Sequence, residues 1–122
     1  MLASLSAIDI VNALIALTTI GLGLCGWIAP RWTMNQLDIR PGPSNMAYTE
    51  VSAVSGCLFV GLGLGALVLN EPFAWLLMGL AYGGAAVGRV TSILRDDAAT
   101  RQSWTFFACE AGLASWLILA NF

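Results

Sequence analysis

The sequence predicts an all-α, polytopic membrane protein: a four-transmembrane-helix bundle whose helices run up-down-up-down. Composition is the first reason. The chain has 122 residues, of which 58% are hydrophobic and 10% charged, whereas soluble domains carry about 25% charged residues. Mean hydropathy is +0.80. The second reason is that the apolar residues form four continuous runs, each near the ~20 residues that span a bilayer core. We expect one domain over residues 1–122.

Each run has recognisable ends. The predicted spans cover about residues 8–28, 47–69, 73–94 and 103–121. Pro30 ends the first, and Pro72 suits the first position of the third helix. No basic segment precedes the first run, so we expect a retained helix and not a removed signal peptide. The connection from Arg31 to Met46 can form a short interfacial helix or an irregular loop.

Arginine positions predict the orientation. Arg31 and Arg40 lie in the first connection and Arg95 and Arg101 in the third, while the second turn and both ends have none. Because positive residues favour the cytoplasmic side, we expect loops 30–46 and 95–102 to be cytoplasmic. Both termini are then non-cytoplasmic.

Several functions are disfavoured by what the sequence lacks. The net charge is −2, with no lysine, which leaves no electrostatic footprint for nucleic acid. Histidine is absent and no carboxylate cluster resembles a metal site, so we expect neither a metal nor a catalytic residue. Cys25, Cys57 and Cys109 lie within apolar runs without CxxC spacing, and we expect small buried side chains there.

Three charged residues fall at one depth once the spans are aligned. Glu50 enters the second span, Arg89 lies about 8 Å before the end of the third, and Glu110 lies about 10 Å into the fourth, at 1.5 Å per residue. Unpaired charges are costly in a membrane, so we predict a Glu50–Arg89–Glu110 cluster. Glu50 would point inward on one helical face with Cys57 and Gly61. This cluster is either a structural clasp or a ligand site, which Tyr82 would line. In a third alternative Glu50 extends to water and leaves a simple Arg89–Glu110 pair.

Glycines predict close helix packing. In lipid, small residues four apart let two backbones approach. These pairs either pack helices within the chain or form a face that binds a partner. Three such pairs occur: Gly61 and Gly65, Gly79 and Gly83, and Gly84 and Gly88. The short turn between spans two and three makes these two helices antiparallel neighbours, so we expect their glycine faces to meet.

These residues together resemble a widespread bacterial family of small four-helix membrane proteins catalogued as a domain of unknown function. The resemblance covers roughly Trp27 to the C-terminus. It implies a bacterial inner-membrane location and no assigned activity. One departure is Ser52, where the family pattern leads us to expect an arginine. The motifs that carry the resemblance are Glu50-x-x-Ala53-x-x-Gly56, Gly61-Leu62-Gly63-Leu64, Gly88-Arg89-x-x-Ser92 and Glu110.

Two roles fit these features. The first is a non-catalytic accessory or assembly subunit that packs against a larger membrane protein complex or forms a homo-oligomer. It is motivated by short loops and glycine faces. The alternative is a binding or carrier module for a small lipophile, such as a quinone, lipid or carotenoid, that engages the charge cluster. No cofactor is predicted beyond a bound lipophile, and membrane lipids are expected partners in both cases.

Overall fold

The computed structural model describes residues 5–122, and this part of the chain is helical without strands. Four helical stretches are long and apolar enough to cross a membrane, and their ends differ from the predicted spans by at most two residues. The shortest has 21 residues, or about 31 Å at 1.5 Å per residue, close to the ~30 Å hydrocarbon core. The four stretches are Ala7–Ile28, Met46–Leu69, Pro72–Arg95 and Arg101–Asn121.

The outer surfaces of these helices are apolar. Large aliphatic and aromatic side chains are exposed on every one of them, including Leu14, Val68, Phe73 and Leu119. Such a surface suits lipid and not water. The chain therefore has the character of a small membrane protein.

Contacts divide the chain into two compact units, residues up to Val68 and residues from Leu69 to Phe122. The first unit contains helices α1 (Ala7–Ile28), α2 (Pro30–Gln36), α3 (Met46–Glu50) and α4 (Leu58–Leu69), with a π-helical segment (Val51–Cys57) joining α3 to α4. The second contains α5 (Pro72–Arg95) and α6 (Arg101–Asn121).

Helix α1 has a reciprocal N-terminal cap. The Asp9 backbone N–H donates to Ser6 Oγ over 3.2 Å, and the Ser6 N–H donates to Asp9 Oδ2 over 3.0 Å. This capping box satisfies two of the backbone N–H groups that an α-helix leaves free at its start. Asn12, one turn further, is 1% exposed and belongs to the core of the unit.

The first connection is half helical. Pro30 occupies the first turn of α2, where its missing N–H costs nothing. The chain leaves the helix after Gln36 and reaches α3 through an irregular stretch. The N–H of Met46 then donates to Ser44 Oγ over 3.2 Å. Of the two forms that the sequence allows for this connection, a short helix followed by a loop is the one observed.

Helix α1 packs antiparallel to the second helical stretch through small residues. A Cβ added at Gly26 would lie 2.6 Å from the Ser55 carbonyl oxygen, and one at Gly63 would lie 2.7 Å from the Ala16 oxygen. The two backbones therefore touch without side chains between them. Six residues of α1 are buried, and all of them except Ile15 recur at alternating intervals of four and three residues, the spacing of a helix–helix seam: Asn12, Ala16, Thr19, Gly23 and Gly26.

The π-helical segment coincides with this close approach. A Cβ at Gly56 would lie 2.8 Å from the Trp27 backbone nitrogen. Ser55, the residue before it, contacts Gly26. A π segment replaces i→i+4 hydrogen bonds with i→i+5 bonds and is uncommon outside functional or strained positions. The apolar run of the second span had predicted a plain α-helix here.

Helices α5 and α6 form an antiparallel hairpin. Two residues with positive φ, Asn70 (45°) and Asp97 (52°), mark the turns before and after α5. Asn and Asp enter this conformation more readily than other side chains because they hydrogen-bond locally. Pro72 lies in the first turn of α5, as expected, and Thr100 caps α6 in a box with Ser103.

Candidate functional site

The α5–α6 seam places an arginine opposite a glutamate. Arg89 lies three residues after Ala86 and four before Ile93, both of which are buried, so it shares their face of α5. On α6, Glu110 lies four residues before the buried Ala114. Because α5 and α6 are antiparallel, these two positions meet at the same level. The other buried residues of α5 are Trp75, Met78, Gly79 and Tyr82.

Arg89 and Glu110 form an ion pair. The Arg89 Nε–H donates to Glu110 Oε1, and Nη2 donates to Oε2 over 3.4 Å. The Arg89 side chain is 36% exposed and that of Glu110 is 15% exposed. The planar guanidinium suits a carboxylate in this two-point arrangement. Two of its five N–H groups are used, which leaves three that the hairpin does not occupy.

An aromatic ring supports the guanidinium from the other side. The Arg89 Cζ atom lies 5.2 Å from the centroid of Phe106, within the range of a cation–π contact. Phe106 precedes Glu110 by four residues and so presents on the same face of α6. Arg89 is therefore held by a carboxylate and a ring from one helix, with its outer edge free.

A groove of about 340 Å³ opens beside this pair. Its serines are engaged within the protein: Ser92 Oγ donates to Asp96 Oδ2 over 2.8 Å, and Ser103 Oγ donates to the Ala98 oxygen over 2.7 Å. The hydrogen-bond donor that remains for a ligand is thus the Arg89 guanidinium. The groove is lined by Ala85, Gly88, Arg89, Ser92, Ile93, Ala98, Ser103 and Glu110.

The rim of the groove carries one perturbed carboxyl. Hydrogen bonds from Arg95 (2.8 and 2.9 Å) and from Ser92 hold the pKa of Asp96 at about 2. The ordinary value is about 3.9. Donors that favour the ionised form lower the pKa of an acid. Asp96 is exposed and lies just beyond the end of α5.

Glu50, the third member of the predicted cluster, lies in the first unit. The prediction that it joins the pair stays a prediction. Glu50, Cys57 and Gly61 are all exposed within the first unit, and the prediction that they form one inward-pointing face stays a prediction.

Tyr82 is two turns from Arg89 and is not among the residues that line the groove. It is 7% exposed and lies on the α5 seam. Tyr82 therefore lies at the α5–α6 interface, and its predicted contact with a ligand beside Arg89 stays a prediction.

The glycines divide into packed and open positions. Of the predicted pairs, Gly79 and Gly83 face α6: added Cβ atoms would lie 2.8 Å from Leu117 Cβ and 3.8 Å from Ala114 Cβ. These two glycines pack against α6 within the second unit, and the predicted meeting of the glycine faces of spans two and three stays a prediction. The other four predicted glycines have open space where a side chain would be: Gly61, Gly65, Gly84 and Gly88.

The glycines at the tightest contact were not predicted from the sequence. Gly23, Gly26, Gly56 and Gly63 bring α1 against the second helical stretch. Gly56 and Gly63 are seven residues apart, whereas the predicted glycine pairs were chosen as small residues four apart. The seven-residue interval, together with the matching intervals in α1, is the sequence pattern that could have predicted this contact.

The cysteines are free thiols. Cys25 is half-buried, while Cys57 and Cys109 are exposed. The expectation of buried side chains is therefore wrong for the last two. Both lie on apolar helices, where a small apolar thiol is tolerated at an exposed position. Among residues 5–122, no group of three His, Cys, Asp or Glu side chains is placed to hold a metal ion.

Comparison with known protein families identifies the family of this chain. A match to the family described as a domain of unknown function, DUF4345, extends over residues 7–121. The chain belongs to this family. The DUF4345 match confirms the resemblance carried by the motifs above, and it begins before Trp27, so it takes in α1 as well. No curated protein and no solved structure matches the chain.

Proposed function

We propose that this DUF4345 protein is a non-catalytic membrane protein whose α5–α6 hairpin binds a small lipophile such as a quinone, lipid or oxygenated carotenoid. One observation carries the proposal: a guanidinium with three unoccupied N–H groups stands on the wall of a groove of about 340 Å³. Arginine only donates hydrogen bonds, so the ligand must present an acceptor oxygen.

The size of the groove sets what part of the ligand enters. Pockets for whole small molecules measure about 300–1,000 Å³. A groove of about 340 Å³ lies at the lower end of this range, so it fits the headgroup of a long lipophile and not its hydrocarbon chain. The hydrocarbon remainder would lie along the exposed apolar side chains of the hairpin, such as Leu94 and Val87. Glu110 keeps Arg89 in place and neutralises it, which lowers the cost of a cation at this depth.

The test is retention of a lipophile by the purified protein. Organic extracts of the wild type should contain one lipophile in stoichiometric amount, by mass spectrometry. Arg89→Leu should lose it while still inserting into the membrane. Arg101→Leu is the matched control, because Arg101 is in the same hairpin and does not line the groove. Equal retention by wild type and Arg89→Leu would sink the proposal.

The proposed orientation is the one that arginine favours: a bacterial inner membrane, up-and-down spans, and cytoplasmic loops 30–46 and 95–102. It is supported by Arg31, Arg40, Arg95 and Arg101 in the two connections and none in the turn at Glu71. Single-cysteine labelling on a cysteine-free background should modify Gln102→Cys only from the cytoplasmic side. Labelling of that position from outside intact cells would reverse the orientation.

A second candidate is the accessory or assembly subunit. It is favoured by the open glycines Gly84 and Gly88 on α5, four residues apart, which leave a helix backbone accessible. Native purification should then recover a stoichiometric membrane-protein partner or a homo-oligomer. Gly84→Leu should release it, whereas Gly112→Leu, the same change at an open glycine of α6, should not. A monomer that extracts alone in mild detergent would eliminate this role.

A further inference from the structure

A second cavity lies in the first unit, where α2, the irregular connection and α3 come together. Its volume is about 230 Å³. Met34, which is 2% exposed, forms its floor. It shares no residue with the groove beside Arg89, and the proposed function does not use it. The cavity is lined by Arg31, Met34, Asn35, Ile39, Pro41 and Tyr48.

The ends of two spanning helices set the depth of this cavity. Helix α1 ends at Ile28, three residues before Arg31, and the second spanning stretch begins at Met46, two residues before Tyr48. A 22-residue α1 covers about 33 Å at 1.5 Å per residue, the thickness of the hydrocarbon core. Arg31 and Tyr48 therefore lie at the level of lipid headgroups. Trp32, beside them, is 57% exposed, as expected of an interfacial tryptophan.

Arg31 is oriented but not neutralised. Its Cζ atom lies 4.4 Å from the centroid of the Tyr48 ring, a cation–π distance. A guanidinium held against a ring by its face keeps its N–H edge free for another group. Within residues 5–122 Arg31 makes no ion pair, and no carboxylate lines the cavity. This differs from Arg89, whose charge Glu110 balances.

We propose that this cavity binds the phosphate of an anionic phospholipid headgroup. The Arg31 guanidinium would donate to the phosphate oxygens, and the Asn35 amide can add a further donor. A zwitterionic lipid gains less, because its ammonium meets no carboxylate here and Arg31 already covers the Tyr48 ring. Ile39 and Pro41 supply apolar walls, and exposed Ile28 lies towards the acyl region, which favours a lipid over free phosphate.

The full-length protein in mild detergent provides the test. Short-chain phosphatidylglycerol should raise its thermal midpoint, while matched phosphatidylcholine and inorganic phosphate should have little effect. Arg31→Gln should weaken phosphatidylglycerol binding about tenfold or more, as loss of a charged hydrogen bond does. Arg40→Gln is the matched control: it makes the same charge change in the same connection, and Arg40 does not line the cavity.

Tyrosine variants test the same pocket without changing its charge. Tyr48→Phe keeps the ring and should keep binding, whereas Tyr48→Leu should weaken it by severalfold because the guanidinium loses its support. Three results would overturn the proposal: undiminished binding by Arg31→Gln, equal losses in Arg31→Gln and Arg40→Gln, or equal responses to the two lipids. Equal stabilisation by inorganic phosphate would make this a free-phosphate site and overturn the lipid assignment.

Discussion

The Arg89–Glu110 pair should show energetic coupling in a double-mutant cycle. Its exposure is intermediate, with side chains 36% and 15% exposed. Exposed pairs are worth about 0.2–1 kcal/mol, whereas breaking a buried pair costs about 3–5 kcal/mol. We therefore expect a coupling free energy of about 1–2 kcal/mol, between these limits.

The two single variants should differ. Arg89→Met leaves the more buried partner, Glu110, without its cation, and should destabilise the protein by about 2 kcal/mol. Glu110→Leu leaves Arg89, whose long side chain can turn outward, and should cost about 1 kcal/mol. In Arg89→Met/Glu110→Leu both charges are gone, so the double variant should be less destabilised than the sum of the singles.

The assay is reversible unfolding of the four proteins in mixed micelles of mild detergent and dodecyl sulfate, followed by tryptophan fluorescence and helical circular dichroism. Arg101→Met combined with Glu110→Leu is the control, because Arg101 has no ion pair with Glu110 and should show additive effects. If Arg89→Met and Glu110→Leu also add without coupling, the ion pair does not contribute to the stability of the hairpin. The reasoning about charge in the membrane would then be wrong.

Three further outcomes follow from packing, pH and backbone conformation. Gly26→Ala should destabilise by about 1–3 kcal/mol through overpacking against Ser55, while Gly21→Ala, which meets open space, should be neutral or slightly stabilising in the same unfolding assay. Because the pKa of Asp96 is lowered to about 2, its contribution to stability should be complete above about pH 4 and lost as the pH falls towards 2. Asp96→Asn should therefore reduce the fall of the thermal midpoint between about pH 4 and about pH 2, and an equal fall in the wild type and the variant would contradict this prediction. At Asp97, where φ is 52°, Asp97→Ala should lower the free energy of unfolding by about 1 kcal/mol and Asp97→Gly should leave it almost unchanged. Equal unfolding midpoints for the two variants would contradict the idea that the turn requires a left-handed backbone conformation.

The spans and the central ion pair were predictable from sequence because membranes impose strong rules. Hydrocarbon requires long uninterrupted helices, so run lengths alone placed the helix ends to within two residues. It also penalises separate charges, so Arg89 was expected to meet a glutamate, and the structure brings it to Glu110. The short helix after Pro30 was one of two forms that the sequence allowed.

The faces of the helices were harder to predict. In a soluble helix, polar residues mark the outer side, but α4 is apolar on all sides and carries no such mark. A glycine pair such as Gly61 and Gly65 therefore looks as suitable for packing as Gly63, which is the position that contacts α1. The rotation of a helix about its axis is decided by its neighbours, and a single sequence does not contain it.

The π-helical stretch gives the second span a way to absorb a change in chain length. Because i→i+5 bonding accommodates more residues per turn than α-helix, removing one residue between Val51 and Cys57 would let this stretch rewind as α-helix. The halves on either side would then keep their own partners, with Gly63 against Ala16 and Tyr48 beneath Arg31. We expect single-residue length differences among relatives to concentrate here, where they disturb neither end of the helix.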